Sequence, residues 1–163
     1  MKKFCVVLML CLGLSGCGTV ETFETLGPVQ HEPDEAPAMG KIQISLPESA
    51  SKEVFANNDG SCYECDGYTL MLQTFSSGNL TQTIRNLSGF SPDKLTVLES
   101  KTGDYKRYEW VWTAAGEGAD VLCRAMVIDD GDYHYCLSVM APAQNAGALQ
   151  GEWNQVFTSF TLS

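Results

Sequence analysis

The sequence predicts an α+β fold, an antiparallel sheet of about five to six strands covered by helices on both faces. Three observations lead there. Six β-rich or alternating stretches, at residues 42–46, 68–75, 95–100, 105–113, 121–128 and 133–140, are separated by turn-forming residues. The stretch from Val121 puts Leu122, Met126 and Ile128 on one side and Val121, Cys123, Ala125 and Val127 on the other, so neither face suits water. Two amphipathic helical segments, one near residue 80 and one after residue 142, are available to cover those faces.

Taken in chain order, the first strand at 42–46 is followed by Asn58-Asp59-Gly60 and Asp66-Gly67, residues that tolerate positive φ or bond their own backbone in turns. The strand at 68–75 comes next. Asn79 with Gln82 three positions on forms a capping pair, and Leu80, Ile84 and Leu87 share one helical face. The last four strands read as a meander, with turns at Thr102-Gly103-Asp104 and at Asp129-Asp130-Gly131-Asp132. Tyr133, Tyr135, Leu137 and Val139 then alternate with Cys136 and Met140. After Pro142, the residues Ala146, Leu149, Trp153, Val156, Phe157 and Phe160 repeat as one apolar stripe. Gly147 and Gly151 each weaken that helix by about 1 kcal/mol, so burial of the stripe must supply the difference.

This body, residues 41–163, is long enough for one domain with one core and too short for two. It holds fifteen acidic residues against eight basic ones, and the whole chain carries a formal net charge of −10. Such a balance repels phosphate backbones, which excludes nucleic acid as a partner. Upstream, residues 18–40 hold three of the six prolines and five acidic residues with no lysine or arginine. They read as an acidic tether, residues 17–40, too poor in apolar surface to fold and extended by self-repulsion. His31 lies in it, which argues against a catalytic role for that histidine.

Residues 1–16 have the build of a secretory signal: Lys2 and Lys3, an apolar core from Phe4 to Leu14, then Ser15 and Gly16 before Cys17. That core is about half of the roughly 20 residues a spanning helix needs. Leu14-Ser15-Gly16-Cys17 resembles the lipobox of bacterial lipoproteins, whose cysteine is diacylglycerylated before cleavage in front of it. The resemblance implies lipid attachment at Cys17, a membrane partner through that lipid, and an extracytoplasmic location. Gly18, instead of the aspartate associated with inner-membrane retention, leaves an outer membrane open where the host has one. Two acyl chains exceed the marginal binding of one.

A second resemblance lies in YHYCLSVMAPAQNAGALQGEWNQVFTSFTL, residues 133–162: an aromatic strand, a final amphipathic helix and a closing Ser-Phe-x-Leu. This arrangement is similar to the C-terminal half of PsbP-like α/β/α sandwich domains, a group that includes exported lipoproteins of the DcrB kind. The whole chain also resembles uncharacterised Firmicute-type lipoproteins with the same leader, acidic tether and closing helix. Members of the PsbP-like group are binding or assembly factors, so the resemblance brings no catalytic residues with it.

The residues that could carry chemistry are few. Cys62-Tyr63-Glu64-Cys65 has the spacing of a dithiol redox site, half a metal site or a local disulfide. Redox use needs nearby positive charge or a helix N-terminus, whereas Glu64 and Asp66 flank these thiols. Zinc would need two further ligands, and Cys123 and Cys136 lack the second close pair of a zinc ribbon. Disulfides among Cys62, Cys65, Cys123 and Cys136, or four buried free thiols, are the remaining readings. If the hairpin closes at Asp130-Gly131, Cys123 opposes Ser138 and Cys136 opposes Ala125, a diagonal pair that a one-residue bulge would bring into line.

His134, the one histidine of the body, is expected to be a hydrogen-bonded interior group, and no G-x-S-x-G elbow accompanies it. Asp129, Asp130 and Asp132 fail the spacing of a calcium loop and read as an acidic turn. Tyr108, Trp110 and Trp112 share one strand face, where they either form core beneath a helix or stack on a ligand. The expectation is therefore a lipid-anchored envelope module that binds a small ligand or an envelope protein, with no catalytic residues, metal or cofactor. A structural role in an envelope complex is the alternative, and a thiol-redox or hydrolytic enzyme the third.

Overall fold

A computed structural model describes residues 36–50, 52–57 and 60–163, with 52–57 as backbone alone. The expected leader, Cys17, His31 and the tether up to residue 35 lie outside the described residues. Strands β1 (Ile42–Gln43), β2 (Lys52–Asn57), β3 (Gly60–Cys65) and β4 (Tyr68–Ser76) come first, followed by helix α1 (Leu80–Ser88) and a 3-10 turn at Pro92–Lys94. Then come β5 (Leu98–Thr102), β6 (Tyr105–Ala115), β7 (Asp120–Asp129), β8 (Tyr133–Pro142), helix α2 (Ala143–Ser159) and β9 (Thr161–Leu162). Seven strands form one antiparallel sheet in the order β2-β3-β4-β8-β7-β6-β5, while β1 pairs with β9. The fold is α+β, as the alternation predicts, and the last four strands of the sheet do form a meander.

The sheet is wider than expected because β2 and β3 form a hairpin around residues 58–59, where the sequence shows turn chemistry. Val54, Phe55 and Ala56 are contiguous in the first and the second is chiefly polar with two cysteines, so neither shows the apolar alternation that marks the other strands. β5 begins at Leu98, three residues later than expected, because Pro92–Lys94 winds into a 3-10 turn that ends at an extended Leu95. At α1 the Asn79 side chain makes no cap; its carbonyl accepts from the Gln82 and Thr83 amides. The helix ends on Gly89 at φ 77, a conformation that costs a glycine little.

The β7–β8 register also differs from expectation. Asp129 pairs with His134, which shifts the hairpin by two residues and places Cys123 opposite Met140 and Cys136 opposite Val127. The carboxylates of the turn cause this. Asp130 Oδ1 accepts from the amides of Asp132 and Tyr133 while Asp129 Oδ1 accepts from Gly131, so the loop takes four residues instead of two.

Apolar side chains gather in two clusters. One joins Ala146, Trp153, Val156 and Phe157 of α2 to Met126 and Ile128 of β7 and to Tyr135, Leu137, Val139 and Ala141 of β8. The other joins Ile84 of α1 to Tyr108, Trp110 and Trp112 of β6 and to Cys123, Ala125 and Val127 of β7. Positions two apart on β7 fall in the same cluster, the period-two division that the sequence predicts.

The compact unit runs from Ala36 to Ser163. Tyr133 Oη donates to Pro37 O at 2.8 Å and Gly40 N donates to Tyr135 Oη at 2.7 Å. Lys41 and Ser163 then exchange two backbone hydrogen bonds. Among the described residues no helix is long and apolar enough to cross a membrane.

Candidate functional site

Alternation along β6 sends Tyr108, Trp110 and Trp112 to one face and Glu109 and Val111 to the other, and each side borders a groove. Trp110 is 1% exposed and stacks on Trp112 with ring centroids 6.2 Å apart, so these two tryptophans are core and offer no open face. Tyr108 differs. It forms part of the floor of a groove of about 350 Å³ between α1, the 3-10 turn and β5, with Leu80, Ile84, Leu95, Val97 and Glu99 around it. Thr81 and Glu99 stand beside the aliphatic side chains, so the lining is mixed, polar and apolar in comparable measure.

The opposite groove, about 320 Å³, runs between α2 and β6–β7 and is built on Arg124. Arg124 Nε and Nη2 lie 2.8 and 2.7 Å from Glu109 Oε1, and Nη1 lies 2.7 Å from Asn154 Oδ1. Its guanidinium also lies over the Phe157 ring at 4.2 Å. Every nitrogen of the fork has an acceptor, so the groove has a neutralised ion pair and no unmatched charge. Sequence reasoning passed over Arg124, although a single arginine within the apolar run 121–128 is the signal that could have found it.

The four cysteines of the body are free thiols, all buried. Cys62 and Cys65 are three residues apart on one extended strand, so their side chains leave opposite faces with Cα atoms about 10 Å apart, beyond the reach of a disulfide. Of the two readings left by the sequence, a local bridge or free thiols, this spacing fits the second. Cys123 and Cys136 share a face, but their partners place them four residues out of register, roughly 13 Å along the strands. Burial raises all four thiol pKa values, Cys123 to about 11. Raised pKa values suppress the thiolate that redox catalysis requires. Beside Cys65, Tyr68 Oη donates to Glu152 Oε1 at 2.6 Å, and burial followed by that bond pushes the phenol pKa up.

His134 is buried, with Nδ1 at 2.8 Å from Thr83 Oγ1 and Nε2 at 3.8 Å from Asp129 Oδ2. Burial lowers its pKa, with Asp129 and Asp130 pulling the other way. The ring ties β8 to α1. Of the acidic turn, Asp130 Oδ2 accepts from Tyr135 Oη, whose pKa burial and this bond push up to about 12. The turn carboxylates thus serve backbone amides and a phenol. Among the described residues no group of three or more His, Cys, Asp or Glu side chains is placed to hold a metal ion.

No protein-family profile matches the chain, and no curated protein matches it in sequence. Solved structures are similar in fold. LpqN of Mycobacterium tuberculosis, described as involved in cell envelope biogenesis, superposes with a TM-score of 0.52 at 10% identity, over 78% of this chain and 86% of that one. A Bacteroides thetaiotaomicron VPI-5482 structure gives a TM-score of 0.52 at 11% identity, over 75% of this chain. The match takes in 45% of that protein, so the chain spans less than half its length. At such identities the likeness is one of fold.

Proposed function

We propose that this chain is a lipid-anchored, extracytoplasmic binding or accessory module of the bacterial cell envelope. The observation that carries the reading is the likeness of fold to LpqN, an envelope-biogenesis protein most of whose length the match covers. The lipobox-like Leu14-Ser15-Gly16-Cys17 supports it independently and makes Cys17 the point of attachment. We also read the body as a three-layer α/β/α sandwich of the PsbP-like kind. The two apolar clusters favour this, since α2 belongs to one and α1 to the other while β7 contributes alternate residues to both.

Recognition in this reading uses the groove floored by Tyr108, and no catalysis. The raised thiol pKa values, the burial of both Thr83 and His134 away from any groove surface, and the paired Arg124 guanidinium support this non-catalytic reading. A Cys17→Ser variant is expected to leave the membrane fraction or to accumulate as unprocessed precursor. Mass spectrometry of the native chain should find a diacylated Cys17; an unlipidated chain beginning at Met1 would refute the anchor. Cross-linking in native membranes, with Leu95→Arg blocking the groove, tests recognition: a captured component that the variant retains at full yield would exclude that groove.

A further inference from the structure

β5 (Leu98–Thr102) is the outermost strand at one end of the seven-stranded sheet, and all five of its residues are exposed. An outer strand presents a row of backbone N–H and C=O groups ready to pair, a liability that proteins commonly blunt with lysine. Lys101 is such a lysine, but it stands two residues from Glu99. We propose that β5 pairs antiparallel with β5 of a second copy of this chain, with Ser100 on the two-fold axis, joining two sheets edge to edge.

The charge pattern selects this alignment. With Ser100 opposite the partner's Ser100, each Glu99 faces the partner's Lys101, and each Leu98 faces the partner's Thr102. Sliding the strands by two residues in either direction places glutamate on glutamate or lysine on lysine, and parallel pairing does both. A slip of one residue turns the side chains to the wrong face. The contact is isologous, so one strand supplies both halves and the assembly closes as a dimer.

The chain's own sheet favours the partner. Lys101 lies directly opposite Lys106 on β6, a like-charge pair that destabilises a sheet, while Glu99 lies opposite Tyr108 and 4.0 Å from Lys106 Nζ. The partner's Glu99 supplies on the free side of Lys101 the carboxylate that its neighbour lacks. Leu98, 64% exposed, is covered in the same step. Five residues make a small interface, so the pairing is transient in dilute solution and gains from any tether that raises local concentration.

Disulfide trapping of the full chain tests the alignment. Across the axis the two Ser100 Cα atoms would sit about 4.5–5.5 Å apart, within the span of a disulfide, whereas like positions at 98 or 102 would be about 13 Å apart. Under mild oxidation Ser100→Cys should therefore give a covalent dimer well above the unsubstituted chain, and Leu98→Cys and Thr102→Cys should not. Adding Lys101→Glu to Ser100→Cys turns two matched pairs into repelling ones and should cut the yield about tenfold. Adding Glu99→Lys as well should restore it. Equal trapping at all three positions, a yield indifferent to the charge changes, or a cross-link to a different protein in place of the dimer would each overturn the proposal. All these side chains are exposed, so a change in yield does not report misfolding.

Discussion

Replacing Trp153 with alanine tests the α2 half of the core. Its side chain is 2% exposed, meets Tyr68 edge-on with ring centroids 6.0 Å apart, and belongs to the cluster that joins α2 to β7 and β8. Tryptophan-to-alanine changes in cores cost about 3–5 kcal/mol, and an edge-on aromatic pair adds about 0.5–1.5 kcal/mol beyond burial. Two features pull the other way. Among the described residues the buried indole Nε1 has no hydrogen-bond partner, so removing it recovers part of a desolvation cost of roughly 1–3 kcal/mol. Trp153 also walls the Arg124 groove, where water can enter the space left behind. The expected net loss is about 3 kcal/mol, near the bottom of the range for such substitutions. Urea unfolding followed by far-ultraviolet circular dichroism measures it, and Trp153→Phe, which keeps an aromatic edge and deletes the orphan N–H, should lose about a third as much. An alanine variant within 0.5 kcal/mol of the native chain, on the order of a surface change, would refute the packing argument.

Burial lowers the His134 pKa, so the folded state binds fewer protons than the unfolded one. Stability should then fall as pH drops through the ordinary histidine value of about 6.5 and continue to fall towards the lowered one. Urea midpoints at several pH values would show this slope, flattened in His134→Gln; an equal slope in both chains would place the titration elsewhere. The thiols at positions 62, 65, 123 and 136 should react with iodoacetamide slowly in the native state and fully in urea. Rapid native labelling of Cys62 and Cys65 would contradict their burial. A chain starting at Ala36 should melt above one starting at Lys41, because the second lacks the Pro37 and Gly40 hydrogen bonds to Tyr133 and Tyr135. Identical melting temperatures would mean those bonds are worth nothing.

Periodicity carried far into this fold because most of its elements bury one clean stripe. Leu80, Ile84 and Leu87 marked α1, and the stripe from Ala146 to Phe160 marked α2. The β2–β3 hairpin was illegible for the opposite reason. Its turn residues were visible, but Lys52–Asn57 is placed by backbone pairing to Gly60–Cys65, which in turn pairs to β4, and neither strand shows an alternating apolar stripe. Cys62-Tyr63-Glu64-Cys65 drew attention as a motif when it is a strand. The β7–β8 register escaped because carboxylate bonds inside the turn set the loop length, and those are a property of three-dimensional closure. Of Tyr108, Trp110 and Trp112, all buried, the sequence could not say that Tyr108 would also border a groove.

Lys41 and Ser163 exchange backbone bonds beside the two-residue pair β1–β9, so the body is fastened shut where its chain enters and ends. A pull arriving from the N-terminal side first strains the Pro37 and Gly40 bonds to Tyr133 and Tyr135 on β8, and then this small clasp. The two side-chain bonds and the short antiparallel pair would give way one after another at low force, leaving the backbone ladder of the large sheet to bear the load.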